Sequence, residues 1–539
     1  MPLPLNGTPW PPKQLAKVTP QLNLWDAWYS GDVLRLSTEY GFNGQGVPGY
    51  PVPRGAARRT GVFGSIARWF WGQPTTNGQQ ITKLHVPIAA DICQAGADLL
   101  FAEPPSFTVD DEVTQKRLDD LADDTLHAAI AEAAELGGAL GGVYLRVTWD
   151  KTLLDQPFVT SIAADGALPE FRWGRLSAVT FWTRLATTSD NLAYRHLERH
   201  ELDKNGVGII QHALYQGGEG DIGTAVPLTE HPDTAPLAEM VTDGNVISTL
   251  SPGLDVVYVA NQRPQRKWRN DPVGCNLGRS DLDGVEPLMD ALDETYSSWM
   301  RDIRLGKSRV FIGESLLDSN GPGNGASFDM DREIFTPLNL LQSANSTGSG
   351  LPIQAEQFTI RWQEHQATAN QLVTDILRTS GYSSQTFGMD DGGKTSNMTA
   401  TEVQAKERRS YLTRDRKTRL WRPQLAALVE KMLAVDIAVF GTPGVKAQLP
   451  NVAFADSVQE SQITLAQTAL ALRQAEAAST ETLVALIHPD WDEKEIGDEA
   501  KRITAEAAAA APQLPDPSTF GVPDDPTNDP ASTDPAAPA

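Results

Sequence analysis

Residues 399–440 hold a helical pattern without a turn signal. At 1.5 Å of rise per residue such a run spans roughly 60 Å. An element of that length excludes an all-β sandwich and obliges the rest of the chain to pack along it. Thr399 and Glu402 stand at capping-box spacing, which sets the start of the helix. Pro423 lies inside the run. Proline has no amide hydrogen and clashes with the preceding turn, at about 3 kcal/mol in a helix interior, so a kink or break is expected there.

The remaining patterns divide the chain. Residues 81–103 repeat apolar positions at Ile88, Ile92, Ala95, Leu99 and Leu100, with Pro87 suited to a first turn and Pro104-Pro105 as a stop. A strand is expected at 106–109 and a helix at 118–137, ended by Gly137-Gly138. From 139 to 260 the period changes to two, as in Val143–Val147, 176–185, 192–202, 209–215 and 256–259. Asp165-Gly166 and Asn205-Gly206 mark turns. Helices are expected again at 287–304 and 356–379, around a weakly apolar strand-and-loop insert at 308–355. The chain is therefore read as α+β and mostly helical.

The N-terminal residues 1–20 read as an arm, and 21–40 as two short helices broken at Ser30-Gly31. Residues 41–62 are rich in Gly and Pro and carry Arg54, Arg58 and Arg59; Trp69, Phe70 and Trp71 follow as core or interface aromatics. Ser457/Glu460 and Asp490/Glu493 have capping-box spacing for two late helices. The tail 511–539 holds Pro and Asp but no Lys or Arg, a composition that predicts disorder.

Composition narrows the function. A length of 539 residues suggests two to four domains. Two Cys exclude a disulfide scaffold or a Cys-rich zinc module. The net charge of −24 argues against a nucleic-acid reader with a broad basic face. There is no membrane-length apolar run, and the first residues lack a signal-peptide layout.

Residues 388–395, Gly-Met-Asp-Asp-Gly-Gly-Lys-Thr, match the letter of a phosphate-binding P-loop. The chemistry argues otherwise. No apolar strand delivers the loop, and Asp390 and Asp391 would stand where phosphates belong. Asp390, Asp391, Gly392, Gly393, Lys394 and Thr395 are read as a polar loop that moves or fits a tight place. His196 and His200 alternate with Glu198 on one strand face, expected to be the wet one, and no Cys or clustered Asp completes a metal site. Asp281, Asp283 and Glu286 are read as acids favoured at a helix N-terminus. Lys406, Arg408, Arg409, Arg414, Arg416, Lys417 and Arg419 cover several helix faces. They suit a solvated or subunit-facing surface with Glu402, Glu407 and Asp415, or a phosphate-facing one.

Four stretches in order carry a family resemblance: 85–109 (HVPIAADICQAGADLLFAEPPSFTV), 287–312 (PLMDALDETYSSWMRDIRLGKSRVFI), 381–409 (GYSSQTFGMDDGGKTSNMTATEVQAKERR) and 452–506. The chain resembles the portal proteins of tailed bacteriophages, of the siphophage class common among phages of actinobacteria. The resemblance implies a non-enzymatic ring, typically of twelve subunits, at one capsid vertex, assembled in the host cytoplasm. It implies passage of double-stranded DNA without sequence preference, and no cofactor or membrane. Its partners would be the terminase large subunit, the head-to-tail adaptor, and the major capsid and scaffolding proteins. Carried over, 1–74 is an arm with short helices, 75–285 the wing, 286–307 and 356–382 the stem helices and 308–355 the clip. Residues 383–397 are the channel loop facing DNA, 398–450 the long kinked helix, 451–510 the crown and 511–539 the tail. The rivals are another minor capsid or connector component and a packaging ATPase resting on 388–395.

Overall fold

The computed structural model describes residues 3–39, 84–185, 193–218, 220–242, 244–305, 359–389, 400–454, 462–488, 491 and 493–510. It also describes the strand residues 309–312, 318–319, 326–327 and 353–356. Two compact units result, Met1–Ala455 and Asp456–Ala539.

The first unit opens with a segment that sequence reading left as an arm. Trp10 is buried and meets Trp182 edge to face at 5.6 Å. Gly7 N donates to Gly223 O at 2.8 Å and Tyr215 Oη donates to Pro4 O at 2.7 Å, so the segment is part of the core. Helix α1 (Thr19–Ser30) has Pro20 in its first turn and ends at Gly31, whose φ of 66° a side chain would strain. Helix α2 (Val33–Glu39) follows. Trp25 and Trp28 of α1 are fully buried.

Helix α3 (Ile88–Phe101) starts one residue after Pro87, which sits at its N-cap rather than in its first turn. Strand β1 (Ser106–Thr108) comes next. The single helix expected at 118–137 is two helices, α4 (Glu112–Leu121) and α5 (Asp124–Leu140). The Asp123 carboxylate accepts from Thr125 N and Leu126 N and so starts a fresh helix. Gly137 and Gly138 do not end α5. They lie inside it, and Gly141, at φ 84°, ends it.

Strands β2 (Gly142–Thr148), β3 (Phe158–Ala163), β4 (Ala167–Arg172), β5 (Arg175–Leu185), β6 (Ala193–Leu202) and β7 (Val207–Gly217) follow. Then come β8 (Thr224–Val226), the short helix α6 (Leu237–Met240), β9 (Val246–Pro252) and β10 (Val256–Ala260). Among them β10-β2-β3 form one sheet. A six-stranded sheet runs β4-β5-β6-β7-β8, with β9 also paired to β7. All these pairings are antiparallel.

Helix α7 (Glu286–Leu305) leads to strands β11 (Arg309–Ile312), β12 (Asp318–Ser319), β13 (Ala326–Ser327) and β14 (Ile353–Glu356). Because β14 pairs with β11, helix α8 (Trp362–Ser380) begins six residues later than its pattern suggested, and Phe358 falls outside the described residues. Ala369 and Ile376 form its buried stripe, flanked by half-buried Leu372 and Val373.

Helix α9 spans Ala400–Val435 as one α-helix and closes in a π-turn over Asp436–Phe440. Pro423 lies inside this one continuous helix, with its ring exposed, so the expected break does not occur. The inner face of α9, through Trp421, Leu425 and Val429, joins Phe101, Phe107 and Leu118 in one apolar core. Trp421 meets Phe101 edge to face at 5.0 Å. Strand β15 (Asn451–Ala453) then pairs with β1 and belongs to the first unit, so the second unit begins at 456 rather than 451.

The second unit holds α10 (Gln462–Gln474), α11 (Thr480–Ile487) and α12 (Glu493–Ala510). Ser479 caps α11 by accepting from Thr482 N, a start the sequence reading missed. The proposed caps at Ser457, Glu460 and Asp490 lie outside the described residues, as do Arg54, Arg58, Arg59, the aromatic run at 69–71 and the tail.

Candidate functional site

The polar loop of the sequence analysis, Asp390, Asp391, Gly392, Gly393, Lys394 and Thr395, lies outside the described residues. The two ends that carry it are described, and they meet in one buried polar cluster. Helix α8 ends at Gly381, whose φ of 101° and whose contact with Thr413 Oγ1 both require glycine. Tyr382 then turns inward, and a 3-10 turn spans Ser384–Phe387. From the α9 side Thr413 Oγ1 donates to Gly381 O at 2.7 Å, and Ser410 Oγ accepts from Ser383 N at 2.9 Å. Ser410 Oγ also meets Thr386 Oγ1 at 2.7 Å.

The centre of the cluster is Asp281. Its Oδ2 accepts from Lys417 Nζ at 2.6 Å and from Tyr382 Oη at 2.9 Å, and Lys417 also donates to that Oη at 2.9 Å. Its Oδ1 accepts from Asn261 Nδ2 at 2.8 Å and Gln262 Nε2 at 2.6 Å. All these side chains are buried. A buried carboxylate facing a buried ammonium holds only when the remaining lone pairs are also satisfied, which the amides and the phenol achieve. Burial, reinforced by Asp281, pushes the Tyr382 phenol well above its usual range, and does the same to the nearby Cys93 thiol. Neither is a nucleophile at neutral pH. Gly96 of α3 leaves room for the cluster, because a Cβ there would strike Tyr382 Oη. The chemistry is that of a clamp: α3, the strand-to-helix lead before α7, the end of α8 and the middle of α9 are joined at one ion pair.

This corrects the reading of the basic helix. Lys417 is in the core, paired to Asp281, and faces neither solvent nor phosphate. Arg414 is buried too, its Nε donating to Leu99 O at 2.7 Å. Arg408, Arg409, Arg416 and Arg419 are exposed, with Arg409 also donating to Arg378 O at the end of α8. The side chain of Lys406 is outside the described residues. Glu407 accepts from Tyr411 Oη at 2.7 Å. Asp281 is more than a helix-end acid. Glu286 does sit at the start of α7, where its Oε1 accepts from Gln21 Nε2 and Trp25 Nε1, both at 2.9 Å.

Helices α7 and α8 are pinned to each other at their far ends. Asp302 accepts from Arg361 Nη2 and meets His365 Nε2, both at 3.0 Å, and the His365 ring stacks on Trp299. Burial opposes the Asp302 charge, but these two partners hold its carboxyl below the ordinary range.

The histidine face expected to be wet is covered. His200 is fully buried, its Nδ1 2.8 Å from Asp255 Oδ2 and its Nε2 2.8 Å from Glu198 Oε1. Two carboxylates on two ring nitrogens mark an imidazolium. Burial works against that charge, yet Asp255 and Glu198 raise the His200 pKa to about 9. His212, 3.1 Å from His196, is pushed by burial down to about 4. Nearby, Lys431 Nζ donates to Ser251 Oγ at 2.7 Å and Gly253 O at 2.8 Å, and burial lowers it to about 8. Among the described residues no group of His, Cys, Asp and Glu is arranged to hold a metal ion, and no helix is long and apolar enough to cross a membrane.

Comparison with known proteins places this architecture. No curated protein matches the chain. Among solved structures, the neck of an empty GTA particle is 13% identical, covering 77% of this chain and 94% of that one at a TM-score of 0.37. The neck of a native GTA particle is 12% identical over 79% of this chain and 99% of that one, with a TM-score of 0.34. The virion of a native gene transfer agent gives 11%, the same coverages and 0.33. Similarities this low carry no argument. The family model described as phage portal protein, SPP1 Gp6-like, matches residues 21–513. That span takes in both sheets, the α7–α8 pair, the clamp and the whole of α9, and the chain belongs to this family of phage portal proteins, whose members are structural rather than catalytic.

Proposed function

We propose that this chain forms the portal ring of a phage capsid vertex and conducts double-stranded DNA during packaging and ejection. The observation that carries the reading is the family match over residues 21–513. In this reading α7 and α8 are the stem, joined by Asp302, Arg361 and His365, and 308–355 is the clip that meets the terminase motor and later the head-to-tail adaptor. Residues 75–285 are the wing, with α9 behind it. Residues 383–397 are the channel loop, with Asp390, Asp391 and Lys394 facing DNA. The second unit contributes the crown. Capsid and scaffolding proteins contact the outside.

Physical chemistry supports a conduit over a DNA-gripping protein. Each phosphate that a protein neutralises adds affinity and salt dependence. A translocating ring is better served by few such contacts along its channel, and a charge of −24 on every subunit meets that demand. Ring interfaces of this kind are heterologous and closed. We expect a homo-oligomer near twelve subunits.

The test is negative-stain electron microscopy of the full-length protein, with a mass measurement on the same sample. Closed rings with a central hole are expected. A monomer or dimer at every concentration and salt would overturn the ring.

A further inference from the structure

Residues 262–270 read Gln-Arg-Pro-Gln-Arg-Lys-Trp-Arg-Asn, a dense cationic run in an acidic chain. With Lys17 from the segment before α1, Arg266, Lys267 and Arg269 line a surface cleft of about 410 Å3. The cleft is built on a fixed frame. Trp268 is buried, its ring 5.7 Å from that of Trp25. Gln265 is buried, donating to Gly278 O at 2.8 Å and accepting from Lys267 N at 3.0 Å. Asp271, the acidic residue of the lining, is turned into its own loop, where it accepts from Gly274 N at 2.8 Å and Val273 N at 3.1 Å.

The four cations differ in what they already hold. Lys267 is engaged, donating to Gln21 Oε1 at 2.6 Å beside Asp283 and Glu286. Lys17, Arg266 and Arg269 are exposed and have no hydrogen-bonded or ion-paired side-chain partner among the described residues, although Asp283 feels the charge of Arg266. Three uncommitted cations on a rigid rim suit an anion with repeated charges. The guanidinium fork matches phosphate oxygens, and each neutralised phosphate releases condensed counterions. The one aromatic ring of the lining is buried, so the cleft offers no platform on which bases could stack.

We propose that this cleft binds the phosphodiester backbone of DNA, without reading its sequence, through Lys17, Arg266 and Arg269. The choice of DNA as the polyanion rests on the reading of the chain as a DNA conduit; the cleft itself does not.

The test is fluorescence anisotropy of the full-length protein with a labelled 20-base-pair duplex of arbitrary sequence, over a salt series. The variant combines Lys17→Gln, Arg266→Gln and Arg269→Gln. All three residues are exposed, and an unchanged thermal midpoint checks the fold. The expected result is a loss of roughly tenfold or more in affinity at low salt. The slope of log K against log salt should become shallower by about 2 to 3, as the contribution per phosphate requires. Arg172→Gln with Arg175→Gln, on the exposed β4–β5 turn, is the control for bulk charge and should move the slope little. An unchanged slope in the triple variant overturns the site. An equal loss per charge in the control overturns it as well. So does displacement of the duplex by poly-glutamate as readily as by an oligonucleotide of equal charge, which would point to a carboxylate partner. Ring formation is read separately by electron microscopy, so failure of the conduit reading and failure of the cleft remain distinct.

Discussion

Lys417 is a lysine in a basic run that spends its charge in the core. Its partner, Asp281, is 136 positions away in the chain. Nothing local distinguishes Lys417 from Arg416 or Arg419, which is why the sequence placed all of them on a surface. Removing one member of a buried pair leaves the other uncompensated, at about 3–5 kcal/mol. Asp281→Ala should lower the denaturant midpoint by that measure. Adding Lys417→Met should restore much of it, and a double variant no better than the single would reject the pair as the cause. His200 gives a pH prediction. Its folded pKa near 9 lies above the unfolded value of about 6.5. The stabilisation it brings is therefore complete below pH 6.5 and lost as pH rises through 9. Lys431, lowered to about 8, acts in the opposite sense between about 8 and its unfolded value of about 10.4. The clean window is thus pH 6.5–8, where urea stability should fall with pH. His200→Gln should flatten that slope. The alternation of His196, Glu198 and His200 was legible, but the dry side was not, because Arg146 of β2 and Asp255 just before β10 reach that face from distant parts of the chain.

Glycines decide the helix packing, and their roles were only half legible. Gly31, Gly141 and Gly381 end helices with positive φ. Gly137 and Gly138 look like the same signal and are not. A Cβ on Gly138 would meet Asp281 Oδ2 at 3.4 Å and Cys93 Cα at 3.6 Å, at the edge of ordinary contact, whereas one on Gly96 would collide with Tyr382 Oη. The two alanine variants should therefore differ in sign. Gly138→Ala gains up to about 1 kcal/mol of helix propensity. Gly96→Ala loses stability as the clamp is forced apart. Thermal melts of the two would show it, and melting shifts of the same sign would refute the distinction. The length of α9 was readable from periodicity, while the cap expected at Thr399 lies outside the described residues. The late start of α8 was not, because it is set by β14 pairing with β11. Pro423→Ala restores a backbone donor in α9 and should raise stability by roughly 1–3 kcal/mol. We expect it also to change ring assembly or packaging, because the missing donor at Pro423 loosens the helix at that turn. Unaltered assembly and packaging would count against that role.

At the scale of the whole molecule, the α+β class and the order of strands and helices followed from the switch in hydrophobic period. The division into units did not. Residues 451–453 read as the start of the last region, yet β15 is claimed by β1. Deleting 511–539 should leave the thermal midpoint unchanged, because the segment brings almost no apolar residues to any core; a fall of several degrees would contradict this.

The pairing of β1 with β15 also sets an order in time. Thr108 meets Asn451 across 343 positions, and the core beneath them needs Phe101 and Phe107 from one end and Trp421 and Val452 from the other. On a ribosome that adds about 5–20 residues per second, the early helices must wait tens of seconds for the strand that covers them. Until then the side of Phe101, Phe107 and Leu118 that meets α9 and β15 stays uncovered, although α3 and α5 already pack on each other. Synthesis, rather than the final architecture, is where this chain is most exposed to aggregation and most in need of a chaperone.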